Sequence, residues 1–142
     1  MSYDKNKLVA ELKRDEGFRA NCYQDSEGYW TIGIGRLCDD RFSRGLSEDE
    51  AEYMLANDIE ECEKEVRSTF PWFNNLNDVR QRAIINMCFN LGLTRLLQFK
   101  KFLAAMEAED YETAGVEMLD SRWAKQVGER SQRLEKMIVE GS

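Results

Sequence analysis

Residues 15–37 constrain the fold of this chain more than any other segment, because a helix end, a turn and a strand follow one another there. A helix-like run ends at Glu16, since Gly17 follows directly and glycine commonly stops a helix. The four residues that begin at Asp25 have Asp in the first position and Gly in the fourth, as a tight turn does. Residues 29–34 are rich in aromatic and β-branched side chains, which predicts a strand. The segment therefore predicts a small lobe that contains β-structure.

Two carboxylates and one hydroxyl in this segment, on Glu16, Asp25 and Thr31, are the candidate catalytic groups. Splitting an acetal bond needs one acid and one base on opposite sides of that bond, and two carboxylates can supply both. The chain contains no histidine, so the usual proton shuttle near neutral pH is missing. Acid–base chemistry would therefore fall to carboxylates, with Lys, Tyr or Cys as the alternatives.

The position of Glu16 favours the role of a proton donor. It shares one helical face with Val9 and Leu12, so we expect it to extend an apolar stripe. Partial burial and the negative end of the helix dipole both disfavour ionisation, which would keep Glu16 protonated. Both carboxylates could instead have structural roles: the Glu16 side chain could reach water, and the Asp25 side chain could bond to the backbone of its own turn.

On the strand, we expect Ile32 and Ile34 in the core and Thr31 on the opposite side, towards a cleft.

The rest of the chain is predicted to be helical. A capping box at 47–50 starts a long helix over about 47–68, and Asn77 and Gly92 bound the next one. Further helices are expected at about 95–108, 111–119, 122–126 and 129–140. The fold class is therefore α+β, mostly α, with a single two-lobed domain over 1–142. The small lobe covers about 17–50, the long helix connects it, and the helical lobe covers about 69–142 together with helix 1 at about 4–16.

Composition limits the function classes. The 142 residues carry 20 Lys and Arg against 27 Asp and Glu, for a net charge of −7. Such a chain lacks the broad basic face that nucleic-acid binding needs. It has no 18-residue apolar run for a membrane span, and its polar N-terminus is unlike a signal peptide, so we expect synthesis in the cytoplasm. The four cysteines have no metal-ligand spacing, and we read them as reduced, mostly small core residues, with two disulfides as the alternative. No metal or cofactor is implied.

These motifs resemble the phage-type lysozymes, the endolysins typified by the lysozyme of T-even bacteriophages. The matching stretches are Asp15-Glu16-Gly17, Tyr23-Gln24-Asp25, Glu27-Gly28-Tyr29, Thr31-Ile32-Gly33-Ile34-Gly35, Arg80-Gln81-Arg82-Ala83, Ile85-Asn86-Met87, Phe89-Asn90-Leu91-Gly92 and Ser121-Arg122-Trp123, with Arg130 and Arg133. The resemblance spans nearly the whole chain and implies a lysozyme-like fold.

The resemblance also implies the chemistry. Glu16 would protonate the leaving glycosidic oxygen of peptidoglycan, between N-acetylmuramic acid and N-acetylglucosamine. Asp25 would take a proton from a water on the opposite face, and Thr31 would help to fix that water, which is the inverting arrangement. Arg130 would pair with the acid. Asn86, Gln126, Leu37 and Phe89 match substrate-binding positions, although Phe89 could be core and Asn86 a surface amide. Arg122 belongs to a positive stretch that either lines the cleft or is a solvated helix face.

The family further implies a monomer that needs no cofactor, acts on the cell wall after release, and crosses the inner membrane through a separate holin. This chain departs from the family pattern at Arg36, where a histidine usually makes a structural ion pair, and at Asn90, where a longer amide is usual. Its acidic charge removes the electrostatic steering that basic family members have towards anionic walls. Two alternatives stay open: a lytic transglycosylase that uses Glu16 alone, and a wall-binding module without activity.

Overall fold

The computed structural model describes residues 4–24, 26–34, 36–38 and 45–142, without the side chains of Lys5, Leu8 and Glu16. The chain divides into two compact units, Met1–Ala51 and Glu52–Ser142. The predicted limits of the two lobes, and the assignment of helix 1 to the helical lobe, stay predictions.

The first unit begins with a helix and continues into a sheet. Helix α1 covers Lys5–Glu16, and the Asp4 carboxylate caps it by accepting from the Lys7 N–H at 3.1 Å. Strands β1 (Arg19–Gln24), β2 (Trp30–Gly33) and β3 (Arg36–Leu37) form an antiparallel sheet in that order. Thr31 lies opposite Tyr23 on β1 and opposite Leu37 on β3, so it occupies the central strand.

The side of β2 that faces inward differs from the prediction. Thr31 has 4% of its surface exposed, whereas Trp30 has 49% and Ile34 has 41%. Ile34 is therefore not a core residue, and the hydroxyl side of the strand is the buried one. Val9 and Leu12 of α1 are also about half exposed, so the apolar stripe expected through Glu16 is not buried at these two positions. Strand alternation predicts which residues share a side, but it does not say which side is covered.

The junction from β3 into helix α2, Glu48–Thr69, confirms the predicted capping box. The Ser47 N–H donates to the Glu50 carboxylate at 3.0 Å, and the Glu50 N–H donates to the Ser47 hydroxyl at 3.2 Å. The other carboxylate oxygen of Glu50 forms an ion pair with the Arg36 guanidinium. Arg36 therefore makes an ion pair that joins β3 to the start of α2. It does so at the position where the resemblance implies a histidine with a structural ion pair.

The second unit is helical. After α2, a 3-10 turn covers Pro71–Asn75, and the following helices are α3 (Asp78–Leu91), α4 (Leu93–Leu96), α5 (Lys100–Glu107), α6 (Tyr111–Leu119), α7 (Arg122–Val127) and α8 (Glu129–Glu140). The caps of α3 are as predicted, with the Asn77 side chain accepting from the Arg80 N–H and Gly92 ending the helix at a φ of 80°. The prediction of a mostly α, α+β lysozyme-like fold is confirmed.

The single helix predicted over 95–108 is wrong, because the chain breaks between α4 and α5. The Gln98 N–H donates to the Arg95 carbonyl at 3.1 Å and the Phe99 N–H donates to the Leu96 carbonyl at 3.0 Å, which tightens the backbone into three-residue turns. Phe99 has left the helical conformation, and its ring packs edge-on against Trp123 at 6.1 Å and Phe102 at 6.4 Å. Tertiary packing of one aromatic ring thus overrides local helix propensity.

Helix α8 packs against α3, α6 and α7, and its C-terminus is held by Arg80 of α3. Arg80 donates to the carbonyl of Ile138 at 2.7 Å and to that of Val139 at 3.1 Å, while its guanidinium lies 3.7 Å above the centroid of the Tyr111 ring. The contact between α6 and α8 is close at Gly115, where a Cβ atom would lie 2.5 Å from a methyl group of Val139. The core thus depends on exact helix spacing.

The four cysteines are free thiols, as predicted. The expectation that most of them lie in the core holds for Cys88, where burial and then the neighbouring Cys62 raise the thiol pKa to about 12. Burial also raises the pKa of Cys62, which is half-buried. Cys22 is exposed, so the expectation is wrong there. No helix in the described part of the chain is long and apolar enough to span a membrane.

Candidate active site

The proposed acid, Glu16, is the last residue of α1. Gly17 ends the helix at a φ of 72°, and its N–H donates to the Lys13 carbonyl at 2.9 Å. The helix stop predicted from the sequence is therefore confirmed. Lys13 and Arg14 lie in the same last turn, where positive side chains complement the helix dipole. The Glu16 side chain and the whole of Asp25 lie outside the described residues, so their roles stay predictions.

Thr31 offers a buried hydroxyl on the central strand. Its Oγ1 donates to the Tyr29 carbonyl at 3.2 Å, which fixes the side-chain rotamer. A hydroxyl has one proton and two lone pairs, and the proton is used in this bond. The oxygen therefore remains able to accept a hydrogen bond, for example from a water molecule. Leu37, a predicted substrate contact, is half-buried and lies opposite Thr31 on β3.

Two of the predicted site residues in the helical unit contact each other. The Arg130 guanidinium on α8 donates twice to the Asn86 side-chain oxygen on α3, at 3.0 Å and 2.7 Å. This pair fixes the direction of the Arg130 side chain across the two helices. Asn86 thus positions a cation, in addition to any direct contact with substrate.

Phe89 and its neighbour Asn90 behave differently. Phe89 is 43% exposed, so the alternative that it is a core residue is wrong. Asn90 accepts from the indole N–H of the buried Trp123 at 2.7 Å, which satisfies the one polar atom of that ring. The shorter amide at this position therefore has a structural partner 33 positions away, which no local pattern predicts.

Gln126 and Arg122 line one pocket of about 320 Å³ in the helical unit. The other residues around it are Arg95, Gln98, Phe99, Ser121 and Trp123. The sequence prediction missed Arg95 and Gln98, because they lie in the segment that we expected to be one continuous helix. Within the part of the chain that the structure describes, no group of three or more His, Cys, Asp or Glu side chains is placed to hold a metal ion.

Fold and sequence together define the class as that of the phage-type lysozymes. The family model described as phage lysozyme matches residues 13–137, from the last turn of α1 to the last turns of α8. The chain belongs to the phage lysozyme family, as its motifs predicted.

Similar proteins come from Dictyostelium discoideum and from phages. Probable T4-type lysozyme 1 of Dictyostelium discoideum is 31% identical over 92% of both chains. The pre-baseplate central spike protein Gp5 of Enterobacteria phage T4 is also 31% identical, over 96% of this chain and 28% of its own length. The endolysin of Acyrthosiphon pisum secondary endosymbiont phage 1 is 29% identical over 84% of this chain and 80% of its own.

Proposed function

We propose that this protein is a peptidoglycan hydrolase, a muramidase that cleaves the β-1,4 bond between N-acetylmuramic acid and N-acetylglucosamine with inversion. The observation that carries the proposal is the family match over residues 13–137, which contains Glu16, Asp25, Thr31 and Arg130 in the order and spacing of the motifs. The buried hydroxyl of Thr31 and the helix stop after Glu16 support it.

In this mechanism Glu16 is the general acid and protonates the leaving oxygen. Asp25 is the general base and takes a proton from the attacking water, with the two carboxyl groups about 6.5–9.5 Å apart to leave room for that water. Thr31 accepts a hydrogen bond from the water through its free lone pairs. Arg130, directed by Asn86, pairs with Glu16 and limits how far its pKa can rise.

The test is turbidity clearing of purified peptidoglycan by the wild type and by Glu16→Gln and Asp25→Asn, which keep side-chain size and remove the titrating group. We expect Glu16→Gln to lose about 10²-fold or more, the usual scale for one acid–base group, and Asp25→Asn to lose most of its activity. Asp15→Asn is the matched control, because Asp15 is exposed and pairs with Arg14 at 3.2 Å. The control should stay within about twofold, and circular dichroism should show that all variants fold.

Product analysis separates the alternatives. A hydrolase releases new reducing ends, and the anomer formed first reports inversion. Anhydro sugar ends together with a fully active Asp25→Asn would mean a lytic transglycosylase. Wall binding without any sugar release by the wild type would mean a binding module.

We further propose that the protein acts as an endolysin. Similarity to an endolysin of a phage over 84% of this chain supports this role. It would be made in the host cytoplasm as a monomer and reach the wall through a separate holin. Expression in bacteria with and without a holin, followed by turbidity, tests this: lysis should require both.

A further inference from the structure

The four thiols of the chain form two close pairs, one in each compact unit. The thiols of Cys22 and Cys38 share a hydrogen bond in the first unit, and those of Cys62 and Cys88 share one in the second. The second pair is the better defined of the two, because Cys88 belongs to the hydrophobic core and Cys62 packs against that core.

Helices α2 and α3 bring the second pair together. Cys62 and Val66 lie one helical turn apart on α2, and Val66 is fully buried in the same core cluster as Cys88 of α3. The Cys88 S–H meets two acceptors on α2, which are the Cys62 sulfur and a Glu65 carboxylate oxygen at 4.0 Å. The two thiols thus face each other across the contact between these helices, so a disulfide needs little movement of either helix.

The two thiols of this pair differ in access and in acidity. Cys62 is half-buried and can be reached from solvent, whereas Cys88 is 1% exposed. Burial raises the pKa of Cys88 to about 12, so this thiol stays protonated at neutral pH. Burial also raises the pKa of Cys62, but the hydrogen bond from Cys88 opposes that rise because it stabilises the thiolate. Cys62 is therefore suited to attack first, and Cys88 to attack second.

We propose that Cys62 and Cys88 are an oxidisable dithiol that a small-molecule disulfide converts into a covalent bond between α2 and α3. The Cys62 thiolate attacks one sulfur of the reagent, which forms a mixed disulfide and releases the first reagent thiol. The Cys88 sulfur then attacks the Cys62 sulfur and releases the second reagent thiol. The chain loses two protons and two electrons, and the reagent is reduced to two thiols that carry those protons.

This inference goes beyond the proposed function and does not depend on it. The cytosol keeps thiols reduced, whereas an oxidising exterior lets disulfides form and persist. A chain that moves from the cytoplasm to the wall would therefore be made as the dithiol and gain the bond outside. The bond would close a loop of about 25 residues, which restricts the unfolded chain and stabilises the helical unit.

The experiment is oxidation of the folded chain by oxidised glutathione at about pH 8.5, near the ordinary thiol pKa, followed by alkylation and non-reducing trypsin digestion. Trypsin leaves each cysteine on a separate peptide, with Cys62 on residues 45–64 and Cys88 on residues 83–95. We expect mass spectrometry to find these two peptides joined. The oxidised chain should unfold about 10 °C above the reduced chain, as a closed loop of this length predicts.

Three variants test the order of attack. Cys88→Ala should stop at a glutathione adduct on Cys62, because no second thiol displaces the glutathione. Cys62→Ala should leave Cys88 unmodified, because the Cys88 sulfur is buried. Cys22→Ala is the matched control, and it should still give the joined peptides and the same rise in Tm. Circular dichroism before oxidation checks that all three variants fold.

The proposal is wrong if the folded wild type gives no bond between residues 45–64 and 83–95, or if Cys62 and Cys88 join only to Cys22, Cys38 or another molecule. It is also wrong if the bonded chain unfolds no higher than the reduced chain. An adduct on Cys88 in the Cys62→Ala variant would contradict the order of attack. Failure of the proposed hydrolysis appears separately, as absence of new reducing ends, since no step of the oxidation releases sugar.

Oxidation in urea tests whether the fold directs the pairing. Four cysteines allow three connectivities, so the unfolded chain should give a mixture of joined peptides. The folded chain should give the bond between Cys62 and Cys88 in clear excess over that mixture. The same mixture from the folded and the unfolded chain would contradict the proposal.

Discussion

At the scale of single residues, the bond between Asn90 and Trp123 is a buried polar contact whose loss should be measurable. Asn90→Leu would leave the indole N–H of a 3% exposed ring without a partner. We expect the free energy of unfolding to fall by about 1–3 kcal/mol, measured by urea denaturation. In a Trp123→Phe background, which has no indole N–H, the same substitution should cost clearly less. Equal costs in both backgrounds would show that the bond does not contribute.

The Glu50 carboxylate makes stability depend on pH. The Ser47 N–H, and next the Arg36 guanidinium, hold the pKa of Glu50 below its usual range in the folded chain. A lowered folded pKa stabilises the fold above the unfolded pKa of about 4.3, and this contribution is lost as pH falls through the folded pKa. The Tm advantage of the wild type over Glu50→Gln should therefore shrink between about pH 6 and about pH 3.

Glu52→Gln, an exposed position on the same helix, corrects the Glu50 comparison for the change in net charge. An advantage over Glu50→Gln that stays constant across this pH range would contradict the prediction.

The sequence predicted the local features of the site and missed the contacts that depend on packing. Gly17 after Glu16 and the capping box at Ser47 were predictable, because each depends on residues a few positions apart. The contact between Arg130 and Asn86 joins residues 44 positions apart, and no local pattern encodes it. Thr31 was predicted to face away from the core, towards a cleft, whereas it is buried and Ile34 is exposed, since alternation fixes only which residues share a side.

At the scale of elements, the close approach of α6 and α8 at Gly115 predicts a clash. Gly115→Ala would place a methyl group 2.5 Å from a methyl group of Val139 and 3.2 Å from the Glu135 carboxylate. Overpacking of this kind costs about 1–3 kcal/mol, more than the 0.5–1 kcal/mol that alanine gains in a helix. Urea denaturation should show net destabilisation, and adding Val139→Ala should recover part of it. A Gly115→Ala variant more stable than the wild type would disprove the steric argument.

Element boundaries show the same division between local and tertiary causes. Helix α3 begins and ends where Asn77 and Gly92 predict, because its caps are made by its own flanking residues. The break between α4 and α5 was not predictable, since residues 97–99 contain neither glycine nor proline. The cause is the Phe99 ring, which packs against Trp123 on a helix that comes later in the chain.

At the scale of the whole molecule, the net charge of −7 predicts how wall lysis depends on salt. An acidic protein and an anionic wall repel each other at low ionic strength, where the screening length is about 30 Å at 0.01 M. Raising salt to about 0.1 M shortens this length to about 10 Å, so the lysis rate should rise. Turbidity clearing over a salt series is the measurement, with amidated walls as the less charged control. Lysis that falls steadily from the lowest salt upward would contradict this.

The different surroundings of the four thiols have a practical consequence for studying the protein in solution. Thiol-reactive dyes attack accessible thiolates: Cys88 is buried, and burial raises the pKa of its thiol to about 12, whereas Cys22 stands exposed on β1. Cys22 directly precedes Tyr23, the strand partner of Thr31. The natural chain thus carries its own attachment point for a fluorescent reporter on the strand next to Thr31, and binding of a glycan could be followed there without any engineered residue.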